Sequence, residues 1–209
     1  ALRRAIEADR LRLTFQPVID LSSGALKGFE ALARWREDDV DVSPSTFIPV
    51  AEESGLIVPL GRWALDAALR TLTDWDKAAG GQLDIGVAVN VSAIQIGRDD
   101  VAAVVRDGLA RHGVPGRRLT LELTESSIVK DPDRATRAMR ALKELDAALA
   151  LDDFGTGYSN LAYLQRLPID ILKIDQSFVS GMLASKDNLA IVRAVLSLAQ
   201  ALGLKTTAE

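Results

Sequence analysis

Seven residues of this chain are of types that could cage divalent cations and act on a phosphoester: Glu30, Asn90, Glu122, Asp152, Asp153, Lys173 and Glu209. Glu122 lies in Leu119-Thr-Leu-Glu-Leu-Thr-Glu125, where leucines alternate with polar residues at the period of a strand, so it points away from the leucine face. Asp152 and Asp153 close a second apolar run, Ala148 to Leu151. A buried carboxylate without a partner costs several kcal/mol, so such acids must neutralise, pair or bind metal. Five carboxylates converging on one site could not all stay ionised unaided, since each raises its neighbours' pKa. Two divalent ions plus Lys173 would balance them. The donors are all oxygens, which favours Mg²⁺ or Mn²⁺ over zinc. Adjacent aspartates suit two ions ~3.5–4 Å apart, an arrangement that activates water for in-line attack at phosphorus.

The elements that must position these residues follow from periodicity. Residues 11–20 and 25–35 read as strands joined by the turn Ser22-Ser-Gly24, an opening hairpin whose second strand carries Gly28, Glu30, Leu32 and Arg34 on one face. Ser43-Pro44 opens a helix, and a second helix runs from Ile57 to Lys77. From there strands at 83–91, 119–124, 148–153, 169–174 and 204–208 alternate with helices at 100–112, 131–145, 161–164 and 188–202. Strands alternating with helices predict a parallel sheet covered by helices.

An open doubly wound sheet and a closed (β/α) barrel both fit this order. The strand ends favour the barrel. Asn90, Glu122, Asp152, Lys173 and Glu209 share their strand faces with Ala88, Thr120, Ala150 and Thr207, small or polar residues suited to a barrel interior. The expectation is a TIM-like (β/α)8 barrel with an irregular opening hairpin. Seven strands are legible, so the last β/α unit is expected to be missing from this chain.

At 209 residues without a linker or repeat boundary, residues 1–209 read as one domain. A net charge of −4 with no basic run argues against a polymeric nucleic acid partner. The absence of cysteine excludes disulfide and thiolate chemistry and is compatible with a reducing cytosol. The longest apolar stretch, Leu189 to Leu204, is broken by Arg193 and Gln200, so no membrane span is expected.

Five motifs in order resemble the signature of EAL domains, bacterial phosphodiesterases that open cyclic di-GMP to linear pGpG: Glu30-Ala-Leu32 with Arg34-Trp35, Asn90-Val-Ser92, Glu122-Leu-Thr-Glu125, Asp152-Asp-Phe-Gly-Thr-Gly157 and Leu172-Lys-Ile-Asp175. Gln16-Pro17 and Phe47-Ile-Pro-Val-Ala-Glu52 also match the pattern. The resemblance implies that Glu30, Asn90, Glu122 and Asp152 hold a first Mg²⁺ or Mn²⁺, and that Asp152 bridges to a second held with Asp153 and Glu209. Lys173 would position the attacking water, and Gln16, Leu32, Arg34 and Asp175 would contact cyclic di-GMP. Glu125 would anchor the 154–160 loop. It further implies a homodimer, an upstream sensory or GGDEF-like domain in the parent protein, and a cytoplasmic location. Asn160 stands where the pattern has a second serine, and the chain stops at the first glutamate of a usual Ala-Glu-Gly-Val-Glu run.

Structural readings compete at single positions. Glu122 and Lys173 could be an internal ion pair, Asp152-Asp153 a turn before Gly155, and Glu125 an ordinary helix-start acid. His112, beside Gly113, reads as a surface residue at a helix end, and Trp63 and Trp75 as packing. As a whole, the alternatives are a non-catalytic EAL-like receptor for cyclic di-GMP and an unrelated two-metal barrel hydrolase. Receptors of that kind usually lack ligand positions that are all present here.

Overall fold

The computed structural model describes residues 1–8, 10–124, 131–155 and 164–209. Its order is α1 (Leu2–Glu7), β1 (Leu11–Ile19), β2 (Leu26–Glu37), β3 (Val40–Val42), α2 (Pro44–Ser54), α3 (Ile57–Ala78), β4 (Gly86–Asn90), α4 (Ala93–Arg98), α5 (Val101–His112), β5 (Leu119–Thr124), α6 (Pro132–Lys143), β6 (Ala148–Phe154), β7 (Ile171–Ile174), α7 (Gln176–Gly181), α8 (Lys186–Leu202) and β8 (Lys205–Ala208). One sheet runs β1-β2-β4-β5-β6-β7-β8, with β3 paired to β2. The pairs β1–β2 and β2–β3 are antiparallel, and every pair from β2–β4 onward is parallel.

The sheet curls into a barrel wall. β2 and β7 are four strands apart, which would put them ~19 Å from each other in a flat sheet. Yet Lys173 on β7 reaches Glu30 on β2 at 3.2 Å. Among the described residues, no pairing joins β1 to β8, so the barrel has a seam there.

Leucine alternation decides which face turns outward. Leu119, Leu121 and Leu123 of β5, Leu149 and Leu151 of β6 and Leu172 of β7 are almost wholly buried. They form one core with Leu69 and Leu72 of α3 and Met139 and Leu142 of α6. A second cluster gathers α1, α2 and the start of α3 around Phe47, Ile57 and Leu60. At the sheet's first edge Trp75 packs between Phe15 and Phe29, with both ring centroids at 4.9 Å. Among the described residues, no helix is long and apolar enough to cross a membrane.

The helix caps follow the sequence. Ser92 and Gln95 form a reciprocal capping box at α4. Asp100 caps α5 by accepting from the Ala103 amide at 3.0 Å. Asp100→Ala is therefore expected to lower stability by about 1 kcal/mol in urea denaturation, with no change in helix content.

The structure departs from the reading at several places. Helices α1, α4 and α7 and strand β3 carry too few residues for a legible period. β4 begins at Gly86 rather than residue 83 because the Leu83 amide donates to the Asp76 side chain instead of a neighbouring strand. β7 begins at Ile171 rather than residue 169; Asp170 instead accepts from Lys143 and from the Leu149 amide through its carboxylate. His112 does end α5, but it is not a surface residue: its side chain is 14% exposed and bonds Asp66 at 2.9 Å. Tertiary pairing with α3 draws it in. The helix expected near 161–164 falls largely outside the described residues.

Candidate active site

Every parallel strand ends at the same rim, and register brings the acids together there. Asn90 lies beside Glu122, Thr124 beside Asp152 and Lys173 beside Thr207. Ala88 separates Glu30 from Thr120, and Ala150 lies next to Glu122, so small residues line the inner face below the acids. On the hairpin, Gln16 is paired with Glu30 across the antiparallel register.

Lys173 is the centre. Its ammonium, with a side chain only 3% exposed, lies 3.2 Å from Glu30, 2.7 Å from Glu122, 3.2 Å from Asp152 and 2.5 Å from Glu209. Asn90 Nδ2 donates to the other oxygen of Glu30 at 2.8 Å. Asp152, Asp153 and Glu209 offer carboxylate oxygens within 4.8 Å of one another, the one such acid triad among the described residues. Asp153 adopts a left-handed backbone with φ +55°. That angle turns consecutive aspartates toward one region, whereas ordinary strand geometry would send them to opposite faces. Such a conformation is uncommon for a residue other than glycine and concentrates at functional sites.

Electrostatics confirms crowding. Burial raises Glu122 to about 8, and Glu30 and Asp152 push the same way against the pull of Lys173. Burial also raises Glu209 and Asp153, the latter helped by the charges of Asp152 and Asp175. Burial alone would lower Lys173, but Glu122 and Asp152 outweigh it and hold the ammonium above its ordinary range. Asp175 is lowered by hydrogen bonds from Ser177, whose amide it accepts at 2.9 Å while capping α7.

One lysine cannot balance five carboxylates. The residual charge, the all-oxygen donors and the Asp152–Asp153–Glu209 triad fit hard divalent cations. The Glu122–Lys173 ion pair is real, yet it is one of four contacts that the same ammonium makes.

The residues expected to contact substrate divide. Leu32 and Arg34 lie further along β2 toward the same rim, and Arg34 donates to the Ala33 carbonyl at 3.0 Å. Asp175 reaches the acids through Asp153. Gln16 is exposed on β1. Glu125 and the 156–160 part of the loop lie outside the described residues. Glu52 matches a sequence pattern but has no chemistry of its own in the sequence; that it lines the same cavity as Asn90 is a tertiary fact.

Known proteins resemble the chain over its whole length. A family described as EAL domain matches residues 1–209. The bifunctional diguanylate cyclase/cyclic di-GMP phosphodiesterase MucR of Pseudomonas aeruginosa is 40% identical over all of this chain, which covers 30% of that protein. The cyclic di-GMP phosphodiesterase NbdA of the same organism is also 40% identical, with 26% of its length covered. The chain thus spans about a quarter to a third of the curated relatives it matches. Among solved structures, the PaMucR phosphodiesterase in complex with c-di-GMP is 40% identical, with a TM-score of 0.92 and 99% of this chain and 83% of that one covered. The EAL domain of Mycobacterium smegmatis DcpA is 36% identical with a TM-score of 0.75, covering 94% and 77%.

Proposed function

Because this chain belongs to the EAL domain family, we propose that it hydrolyses cyclic di-GMP to linear pGpG with the help of two divalent cations. One observation carries the reading: carboxylates from β2, β5 and β6, and from Glu209 just after β8, converge on a single buried ammonium. A purely structural ion pair has no use for that many acids at one end of a barrel. The relatives MucR and NbdA, named as cyclic di-GMP phosphodiesterases, support the substrate.

In this reading Glu30, Asn90, Glu122 and Asp152 would hold one Mg²⁺ or Mn²⁺, and Asp152, Asp153 and Glu209 the other. When bound, such a pair supplies an activated water and positive charge opposite the scissile phosphate. Lys173 keeps the carboxylates gathered and donates toward the attacking water or a phosphate oxygen. Arg34 binds a phosphate oxygen through its planar fork. Gln16, Leu32 and Asp175 orient the dinucleotide, and Glu125 anchors the loop that follows β5. A longer parent with a cyclase-like domain, as MucR's name describes, a homodimer and a cytoplasmic setting complete the proposal.

The test is direct. The chain incubated with cyclic di-GMP and Mg²⁺ is expected to give pGpG, and excess EDTA should reduce product to background. Tight binding without turnover would favour a receptor instead.

A further inference from the structure

The two adjacent aspartates of the rim sit in a β-bulge. Leu151 lies opposite Leu172 and Phe154 opposite Ile174, so Asp152 and Asp153 of β6 together face the single residue Lys173 of β7. A bulge interrupts the ladder, breaks the alternation of side chains and re-aims them. Its backbone is unusual here, with φ +55° at Asp153 and φ +100° at Gly155. Where the ladder is interrupted, the sheet alone does not hold such a shape.

The support comes from the segment after β7. Asp175 shares a side-chain hydrogen bond with Asp153. It is itself fixed by the Ser177 amide at 2.9 Å and by the Ser177 hydroxyl. One residue further on, the edge of the Phe178 ring lies against Gly155: a methyl group on that glycine would stand 3.2 Å from Phe178 Cε2 and 3.7 Å from Cζ. Asn188 of α8 anchors this segment by donating to the Ser177 carbonyl at 3.2 Å. None of the six residues of α7 is fully buried, and Phe178 lies at the margin of the main core beside Val179 and Met182. Its ring is poorly placed to fill the core and well placed to press on the bulge.

We propose that Phe178 is a positioning residue for the second cation: its ring closes on Gly155 and, with the Asp175 tie, holds the bulge in the shape that turns Asp152 and Asp153 toward Glu209. Without the ring, only the Asp175 bond opposes relaxation of Asp153 toward extended backbone, which would send consecutive carboxylates to opposite faces. Glu30, Asn90 and Glu122, three of the four donors assigned to the other cation, stand on β2, β4 and β5 and keep their geometry.

This assignment rests on the proposed two-cation reading and is tested on Mn²⁺ binding rather than on turnover. Mn²⁺ titration calorimetry without nucleotide is set beside urea denaturation in EDTA for wild type, Phe178→Ala, Phe178→Leu and Met182→Ala. Phe178→Ala is expected to weaken one of two Mn²⁺ sites by about 10- to 100-fold, the usual loss when the outer support of a metal ligand is removed, and to leave the other unchanged. Phe178→Leu keeps bulk over Gly155, so it should weaken the same site by a smaller factor, and it decides the matter if Phe178→Ala does not fold. Met182→Ala removes core packing from the same segment and should lower urea stability without altering either site. Two unchanged sites in the Phe178 variants, or a loss at both sites that follows stability in Met182→Ala as well, overturns the role of Phe178 and leaves the phosphodiesterase reading standing. A wild type that binds fewer than two Mn²⁺ overturns the two-cation reading and this assignment with it.

Discussion

Glu30→Ala is expected to reduce Mg²⁺-dependent turnover of cyclic di-GMP by about 10³-fold or more, since a metal ligand in such a site supplies several kcal/mol of transition-state stabilisation. The same change should not harm the fold. Glu30 meets Lys173 at 3.2 Å, but that ammonium keeps Glu122 at 2.7 Å and Glu209 at 2.5 Å. Removing Glu30 also removes one of the charges that push Glu122 upward. Without metal the variant should therefore melt no lower than wild type, because acids held for function repel one another at the expense of stability. With Mg²⁺ the order reverses: wild type gains stability by preferential binding to the folded state, and the variant gains less. Melting curves in EDTA and in Mg²⁺, set beside turnover, separate the two effects. A variant that loses activity and also melts well below wild type in EDTA would mean that Glu30 is structural.

What could be read from the chain beforehand divides along physical lines. Leu119-Thr-Leu-Glu-Leu-Thr states its own strand and its own faces, because a period of two needs no partner to be visible. The bounds of β5, Leu119–Thr124, match that reading residue for residue. The gathering of Glu122, Asp152, Lys173 and Glu209 at one rim is legible because each stands at or next to a strand's carboxyl end, and barrel closure brings such ends together; Glu30 lies midway along β2, and only its strand face is legible. Other features depend on side chains meeting across the fold, and no local pattern announces them. Asp66 finds His112 across 46 positions of sequence, and Glu52 comes to line one cavity with Asn90 only once α2 packs against β2 and α3. The left-handed backbone at Asp153 is similar, for aspartate tolerates that conformation, as Asp38, Asp39 and Asp146 also do, but its presence at this one position inside a strand end depends on the surrounding fold.

Asp76→Ala is expected to cost about 3–5 kcal/mol, the loss typical of breaking a buried ion pair by removing one partner. Arg118, with a side chain 7% exposed, donates to both Asp76 oxygens at 2.6 and 2.9 Å and to the Ile85 carbonyl at 2.8 Å. Asp76 also accepts from the Leu83 amide at 2.9 Å. The pair thus ties the end of α3 to the entries of β4 and β5, at the barrel end opposite the acidic rim, where residues serve stability rather than chemistry. Removing the carboxylate strands the guanidinium in the interior, whereas removing both partners does not. The double variant Asp76→Leu/Arg118→Met should therefore recover most of the loss, and a double-mutant cycle in urea measures the coupling. Acid gives an independent reading. Hydrogen bonds from Arg118 hold Asp76 below its ordinary value, so its contribution is complete above about pH 4, the range of an unfolded aspartate, and is lost as pH falls through the lower folded value. The double variant, having nothing to lose there, should show a flatter fall in stability between pH 5 and pH 3 (both approximate) than wild type. Equal slopes would place the acid sensitivity elsewhere and reduce the pair to an exposed contact worth about 1 kcal/mol or less.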